Sequence, residues 1–245
     1  MANLNDFKIL NNKCRTYFDM LETELGRTIS VPTEKHKERF GFYLFVLESI
    51  CNIKDISDIV ALICDQEFNS VVFKCKDDDF GLDAVFINEE DNYINLFNFK
   101  FRENFNVDKQ QNLNETFLTT KITNAIIAEN TSGLTGKIEA FSNEIIELLN
   151  STGIWKIRLY VVSNETKEID VNSTEIRSLK ELYDFEVVPM GLDSITNLMS
   201  LRPDPIDAII HVDKDSILPF TENSLSSSKS YIITLVSANW NEKKR

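Results

Sequence analysis

The stretch KDDDFGLDAVFINEEDNYINLFNFKFRE, residues 76–103, decides the fold. Two runs within it, LDAVFI at 82–87 and YINLFNFKF at 93–101, are rich in β-branched and aromatic residues and are joined by the polar EEDN. Such runs across so short a polar connection form a β-hairpin. Upstream, SVVFKC at 70–75 has a similar composition and is followed by DDDFG, so the expectation is an antiparallel meander of three strands. Side chains alternate along a strand. Tyr93, Asn95, Phe97, Phe99 and Phe101 therefore take one face of the last strand, and Ile94, Leu96, Asn98 and Lys100 the other. The hairpin can then bring Asp83 to Asn98 and Lys100. A carboxylate, an amide oxygen and an ammonium around one point suit Mg2+ or Mn2+: hard oxygens hold the metal, and a lysine orients a water or stabilises charge developing on a phosphate.

Working outward, residues 4–25 place Leu4, Phe7, Leu10, Cys14, Tyr17, Leu21 and Leu25 at helical steps, with Gly26 as the stop. A second helix is expected over 36–51, with Phe40, Tyr43, Leu44, Leu47 and Cys51 as its apolar stripe. On a helical wheel Glu48 lies at the edge of that stripe, where it can supply a further acid, and Glu38 points away. A short helix is expected over 55–65 and helical segments over 115–130 and 136–150, followed by a strand, IWKIRLYVVS, at 154–163. Beyond these the pattern predicts a helix near 173–183, a strand at 185–189, a short helix after Gly191, and strands near 207–211 and 230–237. SLSSSKS at 224–230 reads as a loop and NEKKR as a frayed tail. The expected organisation is an N-terminal helical extension over 1–35, an α/β core over 36–165, and a C-terminal α/β extension over 166–245 packed on it.

The chain has 245 residues, 42% hydrophobic and 27% charged, with a formal net charge of −13, which fits a folded, acidic protein and excludes disorder as its main state. Its longest apolar run, FGFYLFVL at 40–47, is far short of the roughly 20 residues needed to cross a bilayer. The N-terminus lacks the pattern of a secretory signal, so the expected compartment is the cytoplasm. Four cysteines without C-x-x-C spacing and two histidines argue against zinc and for reduced thiols. Net acidity opposes non-specific binding to nucleic acid, which depends on Lys and Arg neutralising phosphates. Residues 77–91 hold seven acids and no base, which suits a divalent cation, and no basic stripe is visible elsewhere. A nucleic-acid surface must then be assembled from separate segments, by oligomerisation, or with a partner protein.

The order α-β-β-β-α-β, with GLDAVFI on the second strand and NLFNFKF on the third, resembles the PD-(D/E)XK superfamily and its restriction-endonuclease-like fold with a mixed sheet. More narrowly, residues 76–103 look like the N-terminal region of the abortive-infection phage-resistance (AIPR) family, in which a G-I-D-A/G strand is followed by a short acidic hairpin and an F-Q-F-K-Y-like strand. FEVVPMGLDSITNLM at 185–199 and SYIITLVSANW at 230–240 resemble the segment C-terminal to this region in that family. The specific motif content covers about 30 residues. The resemblance implies metal-dependent phosphodiester hydrolysis, with DNA the expected nucleic acid and anti-phage defence the setting. It implies Asp83 as a metal ligand, Lys100 as the catalytic lysine, position 98 as the second acid, and the Phe99 carbonyl as an extra ligand. This chain has Asn98 there, which carries no charge, so metal affinity falls unless Glu48 compensates.

Each residue also has a plain structural reading. Asp83 can be an exposed hairpin acid, Lys100 a lysine reaching out from a strand end, Glu48 a solvated helix acid, Asp77 to Asp79 a solvated turn, and the Phe face core. Three functions are then open: a nuclease, a catalytically weakened nuclease fold serving as a nucleic-acid or protein binding and regulatory module, or an acidic interaction protein whose polar strand residues are incidental.

Overall fold

The computed structural model describes residues 2–111, 120–201, 217–220 and 230–233. The chain divides into two compact units, Met1–Arg202 and Pro203–Arg245. In the first, helices α1 (Leu4–Glu24), α2 (Glu34–Cys51), α3 (Ile56–Leu62) and α4 (Gln66–Phe73) lead into strands β1 (Ala84–Asn88) and β2 (Tyr93–Lys100). Helices α5 (Thr120–Ile127) and α6 (Gly136–Leu149) come next, then β3 (Lys156–Ser163), α7 (Thr174–Tyr183), β4 (Phe185–Met190) and α8 (Leu192–Leu201). The second unit holds an antiparallel pair, β5 (Ile217–Phe220) with β6 (Ser230–Ile233). Of these, β5 was not expected. The strand expected near 207–211, the loop within 224–229, the terminal tail and residues 115–119 of the expected helix lie outside the described residues.

The sheet order is β1-β2-β3-β4, with β1 antiparallel to β2 and β2, β3 and β4 mutually parallel. The hairpin expected from EEDN is present, Ala84 lying opposite Phe97 and Asn88 opposite Tyr93. The parallel neighbours are joined by helical crossovers, as parallel strands require. The first 35 residues and residues 166–201 are continuous with this body: α1 packs along α2, and β4 extends the sheet.

Alternation along β2 divides the interior into two cores. Phe97 and Phe99 face α1, α2 and α8, where Phe97 stacks on Tyr160 at 4.8 Å and Phe99 on Tyr43 at 4.7 Å. Ile94 and Leu96 face the opposite layer, with Ile122, Ile126, Ile138, Ile145 and Ile176 from α5, α6 and α7. The helix α2 is apolar on all sides from Phe40 to Leu47, and every residue of that run is buried. A helix apolar all round must be covered all round: α1 lies on one side through Phe18–Phe40 and Tyr17–Phe45 contacts, and the sheet on the other through Phe42–Phe99. The expected stripe was too narrow for this reason. Glu38, expected to point away from the core, is 1% exposed and held by Arg15 and Lys35. Among the described residues no helix is long and apolar enough to cross a membrane.

The expected first strand, 70–75, is a correction: residues 66–73 are the helix α4. The Asp65 side chain caps it by accepting from the Phe68 amide, Phe68 and Val72 one turn apart bury the same face, and Lys74 ends it at φ +61°. The meander is therefore a two-stranded hairpin. At its edge a single antiparallel bridge, Ile63 with Ala84, stands where the third strand was expected.

Candidate metal-binding site

That single bridge gathers the acids. Beyond Ala84 the ladder opens: the Asp83 amide still donates to the Phe97 carbonyl at 2.9 Å, but the Asp83 carbonyl accepts from the Cys64 and Asp65 amides at 2.7 and 3.1 Å. The Phe99 amide, losing a ladder partner, donates to the Asp83 carboxylate Oδ2 at 2.5 Å. Asp83 thus ends one strand and completes another, and the exchange draws residue 65 to its side. The turn before β1 supplies a third acid. Asp79 accepts from the Gly81 amide at 2.8 Å and from the Gln66 amide at 2.9 Å, so it ties that turn to the start of α4. Phe80 and Gly81 have φ of +51° and +81°; the conformation costs glycine little, and at Phe80 it is held by the Asp78 side chain, which accepts from the Phe80 amide.

Asp65, Asp79 and Asp83 consequently offer carboxylate oxygens that all lie within 4.8 Å of one another. Asp65 and Asp83 are buried and Asp79 partly so. Arg39 answers them directly: it donates through Nη2 to Asp65 at 2.8 Å, while its Nε bonds the Tyr43 hydroxyl at 2.8 Å and its Nη1 pairs with Glu67. Burial and then Asp65 hold the Asp83 carboxyl well above the usual carboxylate range, with Asp79 adding to the rise. Burial, Asp65 and Asp83 push the Tyr43 phenol up as well. A carboxylate trio with two members buried and under this repulsion fits a hard dication by donor type. Each carboxylate has about four lone-pair positions and uses only some of them on these hydrogen bonds.

Of the residues expected at the site, Asp83 is in the cluster. Asn98, near the end of β2, donates from Nδ2 to the Gly81 carbonyl at 3.0 Å, clamping the turn that carries Asp79. Phe99, whose carbonyl was expected as a ligand, meets the cluster through its amide. Lys100 lines a neighbouring cavity with Lys35, His36 and Arg39. Glu48 takes no part; its carboxylate accepts from the Tyr17 hydroxyl on α1. Asp79, read as part of a solvated turn, belongs to the cluster, whereas Glu89, Glu90 and Asp91 occupy the β1–β2 turn at the opposite end of the hairpin. So only two of the seven acids in 77–91 are at the site. Asp65 and Arg39 carried no signal in the sequence: a helix cap and a helix arginine acquire their neighbours only through the fold. Comparison with known protein families, with curated proteins and with solved structures finds no match.

Proposed function

We propose that the chain is a Mg2+- or Mn2+-dependent phosphodiesterase on a restriction-endonuclease-like core, in which Asp65, Asp79 and Asp83 hold the metal and Lys100 serves the phosphate. The observation that supports this reading is the carboxylate trio at the mouth of the β1–β2 hairpin. In the superfamily pattern the second acid stands at position 98; here Asn98 carries none, and Asp65 and Asp79 bring the missing charge from outside the strand. The helix–hairpin–helix–parallel strand order supports the same fold, the Ile63–Ala84 bridge taking the place of an edge strand.

When bound, the metal would polarise a phosphoryl oxygen and lower the pKa of a coordinated water. The protein's own groups have separate tasks. Asp83, whose carboxyl burial and Asp65 hold above the usual carboxylate range, would be a ligand, Arg39 fixes the Asp65 carboxylate, and Asn98 keeps the Asp79 turn closed. Lys100, on the strand that carries Asn98, is the group to stabilise charge on the phosphate. The AIPR resemblance makes DNA the substrate and phage defence in the cytoplasm the setting, with oligomerisation or a partner protein supplying further contact surface.

The test is cleavage of plasmid, single-stranded DNA and RNA with Mn2+. Cleavage lost on adding EDTA, and reduced at least about a hundredfold in Asp83→Ala and Lys100→Ala, is the expected result. No cleavage by wild type, or equal cleavage by the variants, overturns it. The uncharged Asn98 favours a second reading, a binding or regulatory module, whose mark is nucleic-acid or protein binding that survives Lys100→Ala without any metal-dependent cleavage.

A further inference from the structure

Where β2 ends, the sheet meets the first turns of α2 across a cavity of about 210 Å3. Its wall carries Lys35, His36 and Arg39 from α2 with Lys100 from β2, against one acid, Glu103. This concentration of cationic side chains runs against the net charge of −13. Their counter-acids hold the head groups in place. Lys35 Nζ donates to Glu38 Oε2 at 2.8 Å, and Glu38 is itself buried and shared with Arg15. His36 is fixed between Thr33 Oγ1 at 2.8 Å and Glu67 Oε1 at 2.9 Å. Arg39 is fixed by Tyr43, Asp65 and Glu67.

Donor capacity remains after these bonds. An ammonium has three N–H groups and a guanidinium five, so the bond of Lys35 to Glu38 and the three bonds of Arg39 leave N–H groups on both. Two side chains with spare charged donors, 37% and 29% exposed, stand on the wall of one small polar cavity. Charge-assisted bonds of this kind are made to phosphate as to carboxylate oxygens. The same cavity borders the acid cluster through two of its own lining residues: Arg39 donates to Asp65, and the Phe99 amide donates to Asp83.

We propose that this cavity binds a phosphate group, specifically the terminal phosphomonoester of a nucleic-acid strand whose adjoining linkage lies over the acid cluster. The assignment to a strand rests on the proposed phosphodiesterase function; the phosphate chemistry rests on the cavity. A monoester offers three acceptor oxygens and a charge of about −1.5 to −2, which suits several converging donors better than the single charge of an internal diester.

The experiment uses the full chain in EDTA, so that no metal or cleavage is involved. Fluorescence anisotropy compares one labelled single strand carrying a 5′-phosphate, a 3′-phosphate or neither, with inorganic phosphate as competitor. The expected result is a preference of at least tenfold for one phosphorylated form, displaced by phosphate and abolished by Lys35→Gln, while that variant keeps the wild-type circular dichroism spectrum at the assay temperature. Equal binding of all three strands overturns the proposal, as does a preference that survives Lys35→Gln. Phosphate binding without strand preference leaves a site for free phosphate only, and overturns the assignment to a strand end. Mn2+ binding by calorimetry, run in parallel, separates the two ideas: a chain that binds Mn2+ through Asp83 but shows no phosphate preference keeps the proposed function and loses this inference.

Discussion

Asp83 does two jobs whose demands conflict. As a strand terminus it must accept from the Phe99 amide; as a buried neighbour of Asp65 and Asp79 it sits where a negative charge is expensive. Its folded carboxyl titrates above the unfolded one, so the stability it contributes is complete below the unfolded value of about 3.9 and is lost as pH rises through the folded value. Asp83→Asn keeps an oxygen for Phe99 and removes the charge. Without metal at pH 7.5 the variant should melt higher than wild type, by about 2–4 °C per kcal/mol relieved for a chain of this size, and the gap should close toward pH 4. Saturating Mn2+ should raise the wild-type midpoint and leave the variant unmoved. A variant that melts below wild type in EDTA at pH 7.5 would show that the charge is not under strain. Asp83 was legible because its setting, GLDAVFI, is local in sequence. Asp65 was not, because the property that matters, proximity to Asp83, is made by one bridge between residues far apart in the chain.

At the scale of elements, α1 and α2 pack closely against each other, and Gly41 makes it possible. A β-carbon built at Gly41 falls on the backbone carbonyl of Cys14. In an ordinary helix interior, glycine to alanine stabilises by about 0.5–1 kcal/mol. Here Gly41→Ala should destabilise by about 1–3 kcal/mol, since α1 must back away and loosen the Phe18–Phe40 and Tyr17–Phe45 contacts. Urea unfolding measures this, and a variant as stable as wild type would mean that α1 shifts freely. Both helices were readable from their periodicity, as were the hairpin and β3, whose apolar runs match their burial. Residues 70–75 were not, because SVVF is β-rich by composition, whereas its conformation is set from outside by the Asp65 cap and by the spacing of Phe68 and Val72. The narrow stripe read on α2 failed for a related reason. Periodicity reports one buried face, and a helix lodged between α1 and the sheet has none exposed along Phe40–Leu47.

For the whole molecule, the proposed function asks a chain of net charge −13 to hold a polyanion. Spread evenly, that charge repels nucleic acid, and the salt dependence of binding reports how many phosphates are neutralised against it. Among the described residues the fold brings Lys35, Arg39 and Lys100 to one cavity, together with the acids Glu38, Asp65 and Glu67 that pair with the first two, while Glu89, Glu90 and Asp91 are carried to the other end of the hairpin. A strand held mainly through that cavity contacts few cations. If about three are involved, the slope of log K against log salt for a single strand, near −0.7 per neutralised phosphate, should be about −2 in EDTA. A protein that binds through a broad basic surface has a slope several times steeper. Adding Mn2+ to a cleavage-resistant strand should raise affinity while changing the slope little, because the dication screens the acid trio locally and recruits no new lysines or arginines. Anisotropy titrations between about 50 and 200 mM salt, an interval of the order over which such slopes are defined, decide the point: a slope steeper than about −5 would mean that a basic surface outside the cavity carries the binding.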